Sequence, residues 1–82
     1  MTTLTVEKAD KTLDLKGLLC PVPVVKMAKA IKEVQVGQTV EAFATDPGVV
    51  ADIPAWARST GHELVTLEKL DRQFRFVVRR SK

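Results

Sequence analysis

A single cysteine followed by two spaced prolines is the feature of this chain best suited to chemistry. Cys20, Pro21, Val22 and Pro23 stand where a strand-like segment gives way to an amphipathic one. Because proline is tolerated in the first turn of a helix, Cys20 is predicted to lie at a helix start, with Pro21 and Pro23 fixing the backbone around it. Unpaired N–H groups and the helix dipole favour a thiolate there if the site is hydrated. An apolar neighbourhood would instead raise the pKa of the thiol.

The sequence offers Cys20 no obvious chemical partner. His62 is the only histidine, and nothing in the sequence places it beside Cys20, which disfavours a cysteine–histidine hydrolase. One cysteine and one histidine do not build a zinc or iron–sulfur site, and no second cysteine completes a redox pair. No metal or cofactor is therefore predicted. Leu18 and Leu19 are expected to anchor the segment while the thiol stays near the surface, although a lone cysteine is often buried and inert.

Each charged residue near the predicted cysteine site has two possible roles, one structural and one functional. Asp46 and Asp52 have structural roles as turn and N-cap residues, but either could also position a partner or shuttle a proton. Lys26 and Lys29, with Lys16, either form a solvated helix face or provide a basic docking surface around the nucleophile. Both alternatives stay open at this level.

Length and composition predict one globular domain over residues 1–82. Of the 82 residues, 45% are hydrophobic and 28% are charged. Residues 1–10 are expected to be a flexible tail or a short extra strand. The net charge of +3 favours acidic protein surfaces or RNA but demands neither. The sequence pattern contains no membrane span or signal peptide, so we expect a cytoplasmic monomer without membrane contact.

Periodicity predicts the first half of the fold. A strand over residues 12–15 is followed by a bend at Gly17. An amphipathic helix then runs from Val24 towards Gly37, and a strand covers residues 38–45. The apolar positions that define the helix are Val24, Met27, Ala28, Ile31 and Val34. The strand places Val40, Ala42 and Ala44 on one face.

The second half is predicted to be a helix and a hairpin. Asp46 or Asp52 opens the helix, with Pro54 tolerable only in its first turn and Gly61 just past its end. Strands follow over residues 62–69 and 74–79, joined by a turn near Asp71. The apolar stripe of the helix contains Val49, Ile53, Trp56, Ala57 and Thr60. The predicted order is βαβαββ.

Two short helices cannot cover both faces of a four-stranded sheet. We therefore predict an α/β (α+β) two-layer sandwich, in which both helices pack on one face of a mixed sheet. The other face should be partly wet, because polar residues fall within the strands. These residues are Glu41, Thr66, Glu68, Arg75 and Arg79.

A small domain with one poised thiol and no base suits carrying a group between larger enzymes. Sulfane sulfur is the natural cargo, since a thiolate can hold it as a persulfide and surrender it by exchange. One alternative is RNA binding through the helix lysines and Arg75, Arg79, Arg80 and Lys82. Direct nucleic-acid binding is disfavoured because few aromatics are available for base stacking. A second alternative is a regulatory domain with a redox-sensing cysteine.

Several motifs together resemble the TusA (SirA-like) sulfur-carrier family over residues 12–80. They are Leu13-Asp14, Lys16-Gly17-Leu18-Leu19-Cys20-Pro21-Val22-Pro23, Asp46-Pro47, Asp52-Ile53-Pro54, Gly61-His62-Glu63-Leu64 and Phe76-Val77-Val78-Arg79. The cysteine-proline-any-proline motif after a strand and glycine is specific in this context. The resemblance implies the βαβαββ sandwich and a sulfurtransferase that is inactive without partner proteins.

The resemblance also implies partners for Cys20. A cysteine desulfurase or rhodanese would supply sulfur, and DsrE-type, TusBCD-like or other acceptor proteins would receive it. Destinations within the family are tRNA thiolation, molybdenum-cofactor assembly and dissimilatory sulfur metabolism. The chain departs from the tRNA-modification members at Val22, Thr45 and Ala51, where those carry an acidic residue, Asp and Arg. These departures leave the Cys20 chemistry intact.

Overall fold

The computed structural model describes residues 9–82, so most of the predicted N-terminal tail or extra strand lies outside the described residues. The order βαβαββ is confirmed. The elements are β1 (Lys11–Leu15), α1 (Val22–Ile31), β2 (Thr39–Ala44), α2 (Val49–Thr60), β3 (Glu63–Leu70) and β4 (Gln73–Arg79). Within residues 9–82, no helix has the length and apolar character needed to cross a membrane.

The four strands form one mixed sheet in the order β1-β2-β4-β3. β1 and β2 are parallel, with α1 as the crossover between them, whereas β4 is antiparallel to both β2 and β3. Leu15 is paired with Ala44, so the carboxyl ends of β1 and β2 meet at one edge of the sheet. The two loops that follow these strands are thereby brought side by side.

Both helices cover the same face of the sheet and enclose the core, which confirms the predicted two-layer sandwich. Val40, Ala42 and Ala44 are fully buried, while the alternate residues of β2 are half-buried, as the strand period requires. The largest fully buried side chains are Phe76, Met27, Ile53, Val40, Val49, Val78 and Pro23. The core therefore extends under the N-terminal turns of both helices.

The opposite face of the sheet carries paired charges, as predicted for a wet face. Arg75 donates to Glu41 and, at 2.8 Å, to Glu68, while Arg79 donates to Glu63 at 3.0 Å. These cross-strand pairs occupy two of the arginines on which RNA binding would depend. The open face therefore presents neutralised ion pairs rather than a free basic stripe.

The first helix is shorter than its apolar period indicates. α1 ends at Ile31, where Lys32 and Glu33 close the last turn with bonds to the carbonyls of Lys29 and Ala30. The prediction that Val34 belongs to the helix was wrong. Val34 lies in the loop that follows α1, and this loop folds back over the core, so the side chain is only 7% exposed. Its burial therefore matches what the helical spacing predicted, although the residue is outside the helix.

The second helix begins at Val49, three residues after the earlier of the two predicted aspartates. The Asp46-Pro47-Gly48 turn leads directly into α2, whose N-cap is Gly48. Asp52 consequently lies in the first turn and is not the N-cap. Pro54 is the sixth residue of the helix, beyond the first turn, so the prediction for its position was also wrong. Gly61 ends the helix with φ of 81°, as predicted.

Candidate functional site

Cys20 lies at the sheet edge formed by the carboxyl ends of β1 and β2. Pro21 is the N-cap of α1, and Pro23, which is buried, lies in its first turn. The peptide bond between Cys20 and Pro21 is cis. The cysteine is half-buried and packs against the core. The edge beyond parallel strands is where α/β folds usually place their functional groups.

Asp46 fixes the backbone of the cysteine. Its carboxylate accepts from the Cys20 N–H at 2.6 Å and from the Gly48 N–H at 3.3 Å. A second bond between the loops joins the Gly17 N–H to Thr45 Oγ1 at 2.9 Å. The two loops are therefore tied together by charge-assisted and neutral hydrogen bonds, which keep Cys20 beside the start of α2.

Gly48 provides the surface on which the sulfur rests. A Cβ atom at this position would stand 3.0 Å from Cys20 Sγ and 3.5 Å from Asp46 Oδ2. The backbone of Gly48 has φ of −59° and ψ of −23°, which any residue adopts. Glycine is therefore required here for the close approach of the thiol.

We expect Gly48→Ala to slow the reaction of Cys20 with iodoacetamide on the order of tenfold, because the added methyl group stands against the sulfur and limits access to it. The added methyl group must push the sulfur away by a few tenths of an ångström. Because the backbone is helical at this position, the melting temperature should change little. Alkylation followed by intact mass spectrometry gives the rate, and an unchanged rate would show that the sulfur does not depend on this contact.

The thiol of Cys20 is protonated at neutral pH. Desolvation by burial, hydrogen bonds with Asp52 and Asp46, and the negative charges of both carboxylates raise its pKa from 9.0 to about 12. Of the two directions that the sequence left open for the pKa of this thiol, the structure therefore favours the raised pKa of an apolar neighbourhood. Cys20 precedes the N-cap of α1 rather than standing over its free N–H groups, and two carboxylates act on the sulfur.

The remaining predicted site residues separate into groups. Asp46 and Asp52 both act on the cysteine. Lys26 and Lys29 line a cleft of about 420 Å³ between α1 and β1, whose lining includes Leu18 but not the cysteine. Lys16 lies elsewhere, near the β3–β4 turn. The structure thus brings the two aspartates to the sulfur and leaves the three lysines divided between different surfaces.

His62 lies at the other end of the domain, after α2. Its Nδ1 accepts from the Ser81 N–H at 3.1 Å, and its ring centroid is 5.9 Å from that of Trp56. Burial and the nearby cations Arg80 and Lys82 lower the pKa of its imidazole. His62 therefore has a structural environment, and it is not a base for Cys20.

Exposed apolar side chains around the cysteine were not predicted. Leu19 is 72% exposed and does not anchor the segment as expected, whereas Leu18 packs against the core. Val22, Val25 and Val50 are also exposed at the starts of the two helices. The signal was present in the sequence, because Val22, Val25 and Val50 fall off the apolar stripes assigned to their helices.

Two kinds of comparison with known sequences agree. The family model described as Sulfurtransferase TusA matches residues 11–80. Sulfur carrier protein TusA of Allochromatium vinosum is 38% identical over 72 residues, which cover 88% of this chain and 95% of that protein. YrkI of Bacillus subtilis, named as a proposed sulfur carrier, is 50% identical over 64 residues, covering 78% of this chain and 83% of that protein.

Another relative is longer than this chain. YrkF of Bacillus subtilis, also named as a proposed sulfur carrier, is 51% identical over 61 residues, which cover 74% of this chain but only 33% of YrkF. Among solved structures, the SirA-like protein of Desulfitobacterium hafniense superposes with a TM-score of 0.75 at 23% identity, covering 88% of this chain and 99% of that one. This likeness confirms the fold. With its family model matched from β1 to the end of β4, the chain belongs to the TusA sulfurtransferase family.

Proposed function

We propose that this protein is a sulfur carrier that holds its cargo as a persulfide on Cys20. Family membership supports sulfur transfer as the general role. The observation that carries the residue assignment is the position of the sole cysteine, half-buried at the sheet edge with its backbone held by Asp46. Pro21 and Pro23 further restrict the backbone on either side of Val22.

The transfer is an exchange between sulfur atoms. Cys20 Sγ attacks the terminal sulfur of a donor persulfide, R–S–SH, so that a new S–S bond forms and the donor S–S bond breaks. The proton leaves Cys20 as the thiolate is generated, and the departing donor sulfur takes up a proton to become R–SH. The product is Cys20–S–SH, with no net oxidation or reduction. The reverse reaction with an acceptor thiol releases the sulfur.

The donors and acceptors are proteins rather than small molecules in this proposal. The cleft of about 420 Å³ beside α1 is not lined by Cys20, and the sulfur lies on an outer edge of the fold. A cysteine desulfurase or rhodanese supplies the sulfur, and DsrE-type or TusBCD-like proteins accept it. Lys26 and Lys29 form a secondary docking surface at the side of α1. Without such partners the protein has no sulfurtransferase activity.

The destination of the sulfur is tRNA thiolation, molybdenum-cofactor assembly or dissimilatory sulfur metabolism. In the proposal, residues 1–82 act as one monomeric domain in the cytoplasm. Val22 is 39% exposed at the start of α1, and Thr45 and Ala51 are exposed beside the site. Because these positions differ from the tRNA-modification members, they are suited to selecting a different partner.

Incubation with a sulfur donor tests the proposal. Reduced protein is mixed with a cysteine desulfurase and cysteine, or with a rhodanese and thiosulfate, and its intact mass is measured beside a Cys20→Ser control. We expect the wild-type protein to gain the mass of one sulfur atom, reversibly upon reduction, and the serine variant to gain none. Serine preserves the size of the side chain but cannot form the persulfide. Equal gains by both proteins would refute the role of Cys20.

A further inference from the structure

Four exposed aliphatic side chains lie beside the cysteine in the chain or in the first turns of α1 and α2, and they form what we term the apolar collar. Leu19 is 72% exposed, Val25 61%, Val50 47% and Val22 39%. Leu19 and Val22 flank the Cys20-Pro21 dipeptide, and Val25 follows Val22 by three residues on α1. Val50 lies in the first turn of α2. Neighbouring exposed apolar side chains of this kind are typical of protein interaction sites.

Two acidic groups act on the sulfur of Cys20 at this end of the domain. Within residues 9–82, ion pairs engage five other acidic side chains, but neither Asp46 nor Asp52. Hydrogen bonds from the N–H groups of Cys20 and Gly48 lower the pKa of Asp46, which keeps it ionised at neutral pH. Asp46, from the β2–α2 loop, and Asp52, from α2, are the titratable groups whose charges act on the sulfur.

We propose that the sulfur-exchanging partner docks on the apolar collar with an apolar surface that presents a lysine or arginine to Asp46 and Asp52, and that this pairing releases the Cys20 thiolate. This inference rests on the proposed carrier function. A cation between the carboxylates cancels the negative field on the sulfur, while the collar seals the contact from water.

The pairing makes the carrier reactive only when it is docked. In the free protein the proton stays on the thiol, so Cys20 reacts slowly with small oxidants and electrophiles. On docking, the thiolate attacks the terminal sulfur of the donor persulfide, the donor S–S bond breaks, and the departing donor sulfur takes up the proton that Cys20 has lost. The carboxylates stay paired with the partner cation. Asp46 and Asp52 do not touch the transferred sulfur in this proposal. They act through Cys20, by controlling whether its thiol is protonated.

Charged thiol reagents test the electrostatic half of the proposal. Alkyl methanethiosulfonates form a disulfide with Cys20 and release methanesulfinate, and they exist in cationic, anionic and neutral forms. Relative to free cysteine, we expect the cationic trimethylammonium form to be favoured over the anionic sulfonate form on the order of tenfold. Asp52→Asn should reduce that preference by roughly fivefold. Glu63→Gln removes one charge at the opposite end of the sheet, where Glu63 pairs with Arg79, and should leave the preference unchanged.

The sign of the Asp52→Asn effect separates docking from a merely structural role. With the neutral reagent the variant should react faster than wild type, because one carboxylate no longer opposes formation of the thiolate. Its rate should also begin to rise at a lower pH than that of the wild type. With a cysteine desulfurase as donor, sulfur uptake should instead slow at least tenfold, because the pairing is lost. Faster uptake from the protein donor, or no charge preference among the reagents, would overturn the proposal. Within residues 9–82, the Asp52 carboxylate accepts no backbone hydrogen bond like those of Asp46, so this variant avoids disturbing the loops.

Collar variants test the apolar half. Leu19→Ser and Val50→Ser should each slow uptake from the desulfurase at least fivefold relative to their rate with the neutral reagent. Val36→Ser alters a valine that is 62% exposed in the loop before β2, far from the cysteine, and should change neither rate. Collar variants that take up sulfur at the wild-type rate would overturn the docking surface. If wild type itself takes up none, the carrier function fails, while the charge preference of the reagents still reports on the aspartates.

Discussion

Iodoacetamide should alkylate Cys20 in the free protein roughly 30- to 60-fold more slowly at pH 7 than it alkylates an unstructured cysteine. Burial and the two aspartates raise the pKa of the thiol from 9.0 to about 12, which cuts the thiolate fraction about a thousandfold. The greater intrinsic nucleophilicity of a more basic thiolate restores part of that loss. The net effect is a slow but measurable reaction.

The pH profile gives the sharper form of this prediction. The logarithm of the alkylation rate should rise with unit slope from pH 7 to beyond pH 10, because the thiol stays mostly protonated throughout. The matched reference is the same protein unfolded in urea, whose profile should level off above its ordinary pKa near 9.0. A plateau of the folded protein below pH 8.5 would contradict the arrangement of Asp46 and Asp52 around the sulfur.

A protonated resting thiol bears on the redox-sensor alternative. Redox-sensing cysteines are accessible and have a low pKa, because the thiolate is the form that oxidants attack. Cys20 differs from such cysteines, because the pKa of its thiol is raised to about 12. The geometry therefore favours a carrier that becomes reactive in contact with a partner over a sensor that responds to small oxidants.

Phe76→Ala should produce the largest loss of stability among single substitutions in this fold. Phe76 is fully buried at the centre of β4, between Ala42 on β2 and Leu67 on β3. Removal of a buried phenylalanine side chain typically costs about 3–5 kcal/mol. A domain of this size has little stability to spare, so the melting temperature should fall by more than about 12 °C.

The control for this substitution is a phenylalanine on the other face of the sheet. Phe43 is half-buried on the open face of β2, opposite Arg75, and Phe43→Ala should cost less than about 2 kcal/mol. Urea unfolding followed by circular dichroism measures both variants. Equal losses would show that the dominant core does not lie between the helices and the sheet.

Sequence periodicity was sufficient for the fold and for the location of the cysteine. Alternation in β2 identified its buried face, and the prolines after Cys20 placed it at the junction of β1 and α1. Periodicity failed where a different local structure buries the same residue. Val34 follows the helical spacing of α1, yet a loop that packs back on the core buries it.

The electrostatics of the site could not be obtained from local sequence. The positive end of a helix was the visible influence on Cys20. The opposing influences are burial, which is the largest, and two aspartates that lie 26 and 32 residues away along the chain. Asp46 approaches through the parallel pairing of β1 with β2, and Asp52 approaches because α2 begins at Gly48. The sequence left Asp52 either as an N-cap or as a residue that positions a partner or shuttles a proton, and neither role included its effect on the pKa of the thiol.

Cyanolysis of the loaded protein tests the central claim most directly. Protein treated with a sulfur donor is separated from that donor and exposed to cyanide, which removes a sulfane sulfur as thiocyanate and leaves the thiol. The account predicts one thiocyanate per wild-type chain, a restored Cys20 thiol that can be loaded again, and none from Cys20→Ser. Absence of thiocyanate from the wild-type protein, or equal release by the serine variant, would contradict a transferable sulfur carried on Cys20.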